Sequence, residues 1–270
     1  MKPVVRKAQS VLDQLTLPTE RTVPSDNLSD YSMLLYGFEK IGKTSLAAQF
    51  PDAYFMLFEA GGKALPLYRT IINKWVEAVR IIDLLEKTDR FRTVIVDTGD
   101  IAYDLCLDFV CKKLAIDHPS DEEWGKGWGA VKKEFKLQMS RLVNNKQGRG
   151  IIFTSHAIER EIKQRGGGAR HRVVPTMGGG ARSVLEPMVD IWAHAYYRPD
   201  GSRWLRLRGN EEVAAGHRIE QHFVGVEELS MGASAKEAYA NYVKAFNQRS
   251  APAAPQKGGS TPVRKVVVRK

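Results

Sequence analysis

The run Gly37-Phe38-Glu39-Lys40-Ile41-Gly42-Lys43-Thr44, followed by Ser45, spaces two glycines, a lysine and a hydroxyl as G-x-x-x-x-G-K-[ST]. That spacing suits a phosphate. Gly37 and Gly42 let the backbone curve until successive N–H groups converge on an anion. Lys43 then reaches the outer phosphates, and Thr44 offers a hydroxyl to Mg2+. The context agrees: the apolar run SMLLY (32–36) precedes the glycines, and a helix is expected from near Lys43.

Three further positions fit the same chemistry. Asp97 closes TVIVD, a buried-strand pattern, and is placed to hold Mg2+ with Thr44. Glu59 ends AYFMLF (53–58) and is followed by Ala-Gly-Gly, a sharp turn. Its carboxylate then lies at the edge of the sheet where ligands sit in open parallel sheets, suited to orienting or deprotonating an attacking water. A fourth strand ends FTSH, so Ser155 or His156 stands near the outermost phosphate as a sensor. Taken singly, Asp97 is also a good helix N-cap, Glu59 a solvated turn residue and His156 a structural histidine. The glycine loop upstream is what joins them.

These residues need a scaffold. SMLLY, AYFMLF, RTVIVD (92–97) and GIIFTS (150–155) are short apolar runs rich in β-branched or aromatic residues, and helical periodicity fills most of the intervals. Runs apolar on both faces, separated by helices, indicate a parallel sheet covered on both sides. VDIWAHAYYR (189–198) and SRWLRLRG (202–209), joined by Pro199-Asp200-Gly201, add antiparallel strands at one edge. A final helix starts near Ser234. Residues 1–30 read as an N-terminal arm with a short helix at about 7–15, residues 31–248 as one domain, and residues 249–270 as a disordered basic tail.

With 270 residues, 43% of them hydrophobic, the chain can bury a full core. The formal charge is +10, and the excess gathers in the first seven residues, from Glu159 to Arg182, and in the tail. Such clustering points to a polyanionic partner, most simply nucleic acid. No apolar run approaches the roughly 20 residues that cross a bilayer, and MKPVVRKAQS lacks a secretion signal. A soluble cytoplasmic chain without membrane contact is expected. The two cysteines, Cys106 and Cys111, lie five apart in a helical pattern and read as buried free thiols.

Beyond His156, Arg160, Lys163 and Arg165 precede a triple glycine (166–168), Arg170, His171 and Arg172 lie between it and a second (178–180), and Arg182 lies just past that. This composition predicts a mobile cationic loop suited to backbone phosphates. Upstream, Trp124 and Trp128 are flanked by Gly125, Gly127 and Gly129, with Lys126, Lys132 and Lys133 beside them. Two readings fit the tryptophans: stacking faces for unpaired bases, worth roughly 1–3 kcal/mol per base, or side chains docked in the core at a helix entry.

The order of parts from Ser32 to Arg208 resembles the RecA-like ATPase core: phosphate loop, FEAGG, strand-terminal Asp97, sensor strand, glycine-rich basic segment. Within that group it is most similar to the short phage ATP-binding proteins of the single-strand-annealing type. The resemblance implies an α/β fold, a mostly parallel central sheet flanked by helices, and a DNA-stimulated ATPase using ATP and Mg2+ in phage recombination. It implies Gly37 to Ser45 and Asp97 as the nucleotide site, Thr44 and Asp97 on the metal, and Glu59, Lys43 and His156 as catalytic. It places single-stranded DNA on Trp124, Lys126, Trp128, Arg160, Lys163, Arg165, Arg170, Arg172 and Arg182. A homo-oligomer is implied too, because such sites are often completed by a neighbour's arginine or lysine.

Two other classes fit parts of the pattern. A nucleotide kinase would use the basic segment as a phosphate-binding lid. An ATPase-fold adaptor would serve a helicase or a single-strand-binding protein, engaging it through the basic tail.

Overall fold

The computed structural model describes residues 17–163 and 168–249. The expected helix at 7–15, Arg165 and nearly all of the basic tail lie outside them. Among the described residues packing begins at Leu28, which is buried in a short turn, Leu28–Asp30, that lies against Gly150.

The elements alternate as the periodicity requires. β1 (Met33–Gly37) leads into α1 (Lys43–Ala47), then β2 (Ala53–Leu57), β3 (Tyr68–Ile71), α2 (Trp75–Leu85), β4 (Thr93–Asp97) and α3 (Gly99–Leu114). α4 (Lys126–Val143), β5 (Gly150–Lys163), β6 (Ala169–Pro175) and α5 (Gly179–Leu185) follow. β7 (Ile191–Tyr197), β8 (Arg203–Arg206), β9 (Gly216–His217), β10 (Glu228–Ser230) and α6 (Ala235–Phe246) complete the order. Ser234 caps α6, accepting from Glu237 N at 3.1 Å.

The strands run β10-β8-β7-β1-β5-β4-β2-β3 across one sheet. From β3 to β7 every pairing on this path is parallel, while β8, β9 and β10 pair antiparallel at the β7 side. The expected sheet, helices and antiparallel edge are all present. Alternation divides the core between two faces. Leu34, Met56, Val94, Val96 and Phe153 pack under α2, α3, α4 and α5 on one side. Leu35, Phe55, Leu57, Ile95 and Ile152 pack under α1 and α6 on the other. Burying both faces is what makes the strands continuously apolar. Cys106 and Cys111 are buried free thiols on α3. Among the described residues no helix is long and apolar enough to cross a membrane.

One expectation is corrected. Among the described residues the cationic stretch after His156 is a paired ribbon and not a loop: β5 runs on to Lys163 and pairs antiparallel with β6 through seven residue pairs, Ala157↔Pro175 to Lys163↔Ala169. The physical reason is alternation. Ile158, Arg160 and Ile162 share one face with Arg170, Arg172 and Val174, while Glu159 and Glu161 share the other with His171 and Val173. The base is anchored as well, since Val173 N donates to Glu212 O at 2.7 Å and Ala214 N to Val173 O at 3.1 Å. Glycines and charges read as a loop, whereas the residues between them carry a period of two.

Candidate active site

The phosphate loop leaves the carboxyl end of β1, the strand flanked by β5 and β7 near the centre of the sheet. Gly37 is required there because a side chain would drive into the Ala195 carbonyl of β7. Gly42 holds φ 107, a left-handed conformation that only glycine adopts readily. From Glu39 to Ser45 no backbone N–H donates to another described residue. A run of unpaired donors of this kind, on a loop that turns at Gly42, is a cradle suited to an anion.

Lys43 bends back over that cradle. Its Nζ donates to Gly37 O at 2.8 Å and Phe38 O at 2.9 Å, and the residue is buried. Burial pulls its pKa down from the ordinary lysine value, and the carboxylates of Asp97, Glu59, Asp100 and Glu39 oppose that fall. The amine therefore sits among acids that favour its charged form.

β4 and β5 bring the remaining groups to the same edge. Thr44 Oγ1 donates to Asp97 Oδ2 at 2.9 Å, so the hydroxyl and the carboxylate chosen for Mg2+ already meet. Thr154, on β5, donates to the other Asp97 oxygen at 2.5 Å and fixes the carboxylate's orientation. Glu59 lies just beyond β2, with Oε1 3.7 Å from His156 Nε2. Burial pushes the Glu59 pKa up, His156 counters it, and Asp97 adds to the rise. Five positions separated by up to 113 residues thus converge around one cradle: Lys43, Thr44, Glu59, Asp97 and His156 share the carboxyl edge of neighbouring strands.

A second network lies behind this one. Asp100 Oδ1 accepts from Thr176 Oγ1 at 2.6 Å and Ser155 Oγ at 3.2 Å, while Thr176 N donates to His156 O at 2.9 Å. It ties the residue after the sensor strand's Thr154 to the foot of β6. Thr154, Asp100 and Thr176 escaped sequence reasoning: Thr154 is one buried polar residue in an apolar strand, and the other two are joined only by the fold.

A family model described as an AAA domain matches residues 29–219. The chain belongs to this AAA domain family. Among solved structures, a KaiC-like protein from the hyperthermophilic archaeon Pyrococcus horikoshii OT3 is similar at 13% identity. The match covers 77% of this chain and 88% of that one, with a TM-score of 0.44. No curated protein matches the sequence. An AAA domain is a P-loop ATPase, and nucleotide with Mg2+ is what such a domain uses. The residues present fit both: the N–H cradle and Lys43 suit phosphates, and the Thr44–Asp97 pair supplies hard oxygen donors for Mg2+.

The AAA domain's nucleic-acid candidates separate into three places. Arg160, Lys163, Arg170 and Arg172 stand on the β5–β6 ribbon. Arg170 is paired with Glu211 at 2.9 Å, and Arg182, on α5, with Glu186 at 2.7 Å. Trp124, Lys126 and Trp128 lie at the entry to α4 instead. Trp124 is 91% exposed at φ 58, while Trp128 is partly covered and donates from Nε1 to Ser120 Oγ at 3.2 Å. The core-docked reading therefore fails for both, since Trp128 is 41% exposed and rests on Ser120 and His118 at the surface.

Proposed function

We propose that this AAA domain is an ATP-hydrolysing, single-stranded-DNA-binding protein of recombination, acting in strand annealing or exchange. One observation carries the reading. Arg160 lies directly opposite Arg172 on the ribbon, with Arg170 on the same face, and no residue of that face in the paired ribbon is acidic. Like charges facing each other across a ribbon destabilise it, and a row of backbone phosphates relieves the repulsion. Trp124, exposed on a separate turn, supports the reading as a flat surface on which an unpaired base can stack.

The chemistry assigned to each residue follows from its place. Lys43 and the cradle bind and orient phosphates. Thr44 and Asp97 would hold Mg2+, which would supply charge neutralisation at the phosphates. Glu59 takes a proton from the attacking water, a role that its raised pKa suits. His156 stands 3.7 Å from Glu59 and its carbonyl accepts from Thr176 N at the foot of the ribbon, so occupancy of the outermost phosphate position is transmitted to β6 through Thr176 and Asp100.

Replacing Arg160 and Arg172 together by alanine tests the ribbon. Single-strand contacts contribute about −0.7 each to the slope of log K against log salt, so losing two should flatten it by about 1.4. Fluorescence anisotropy of a labelled oligonucleotide across a salt series measures this. An unchanged slope and affinity would remove the ribbon from the DNA site.

A further inference from the structure

Arg203 belongs to β8, on the flank of β1 opposite to Asp97, Glu59 and His156. Its guanidinium nevertheless reaches the phosphate loop. A Cβ placed on Gly42 would come within 3.0 Å of Arg203 Nη1, with Met231 Cε next at 3.9 Å. The group is held there from behind, because Arg203 Nη2 donates to Gly232 O at 3.1 Å and Arg203 O accepts from Met231 N at 2.8 Å. Arg198 and Arg206, from the same hairpin, are both committed to Glu228. Among the described residues Arg203 makes no ion pair, and Nη1 has no hydrogen-bond acceptor.

We propose that Arg203 is a nucleotide-binding residue supplied in cis, donating to the inner (α and β) phosphates of the bound nucleotide. The inference rests on the reading of residues 37–45 as the nucleotide site. Direction argues for the inner phosphates. Thr44, Asp97, Glu59 and His156 mark the outer-phosphate end, on the side of β5, β4 and β2. A polyphosphate lying across the cradle from that end runs toward β7 and β8, where Arg203 waits. Charge argues the same way: Asp97, Glu59, Asp100 and Glu39 all act on Lys43. Asp97 and Glu59 stand on the β4 and β2 side of β1, and Arg203 comes from β8 on the other. An arginine suits the task because its planar fork can keep one N–H on Gly232 O while another meets a phosphate oxygen.

Titration of fluorescent ADP and ATP analogues into wild type, Arg203→Gln and Arg203→Lys, alongside melting of the nucleotide-free proteins, tests the proposal. The glutamine variant should bind both nucleotides about tenfold more weakly, and the lysine variant should recover part of the loss. Melting without nucleotide should stay unchanged in both. Wild-type affinity in the glutamine variant would overturn the proposal, as would a loss confined to ATP or one that tracks a lowered melting temperature equally in both variants. Failure of wild type to bind either nucleotide would strike the nucleotide-site reading first, and this inference with it.

Discussion

Lys43→Ala should lower ATP turnover by about 100-fold or more while leaving the fold in place. Removing a single preorganised charge at a phosphoryl-transfer site costs on this order, because the amine acts in a cradle shielded from water. Stability should change little, for opposing reasons. Gly37 O and Phe38 O lose a donor at 2.8 and 2.9 Å, which is unfavourable. The protein is also relieved of a cation whose burial lowers its pKa, which is favourable. Turnover measured beside a thermal melt separates the two effects. Lost activity with an unshifted melt assigns Lys43 to the chemistry; activity lost only alongside lowered stability would make the lysine a structural pin of the loop.

Glu59→Gln should reduce turnover by roughly 10²–10⁴-fold, the range lost with a general base, while nucleotide affinity stays close to that of wild type. The amide keeps the shape but cannot take a proton. Wild type adds a pH signature whose sign follows from the shift. Burial raises the Glu59 pKa above the usual carboxylate range, so the active carboxylate is lost as the pH falls through that raised value. Turnover should therefore decline on the acid side at a higher pH than for an ordinary glutamate, and the residual rate of the variant should lack that limb. An acid limb that survives in Glu59→Gln would move the base to another group.

How much of this could be read beforehand depended on distance along the chain. The phosphate loop was legible because its chemistry needs residues only a few positions apart, and the flanking β1 and α1 gave it a context. Asp97, Glu59 and His156 were legible for a related reason: a parallel sheet sends strand ends to one edge, so finding three strand ends located three candidates. β3 gave no such signal, since Tyr68, Arg69 and Ile71 lie largely open to solvent at the sheet's border and no apolar run marks them. The ribbon was misread because Gly166–Gly168 and the charges around it outweighed the alternation of Ile158, Arg160 and Ile162. That Arg203 reaches the phosphate loop of its own chain, and that Asp100 meets Thr176, lay out of reach for another reason. Each joins segments more than 70 residues apart, and nothing local in either segment announces the partner.

In the proposed function, nucleotide and DNA are coupled through β5 and its continuation into the ribbon. The direct measurement is ATP turnover by the wild type alone, with an unpaired oligonucleotide, and with the matching duplex, all at one stated salt concentration. Stimulation by the single strand well above that by the duplex is the predicted result. Turnover indifferent to DNA, in a protein that still binds the oligonucleotide tightly, would contradict the coupling and favour an ATPase-fold adaptor.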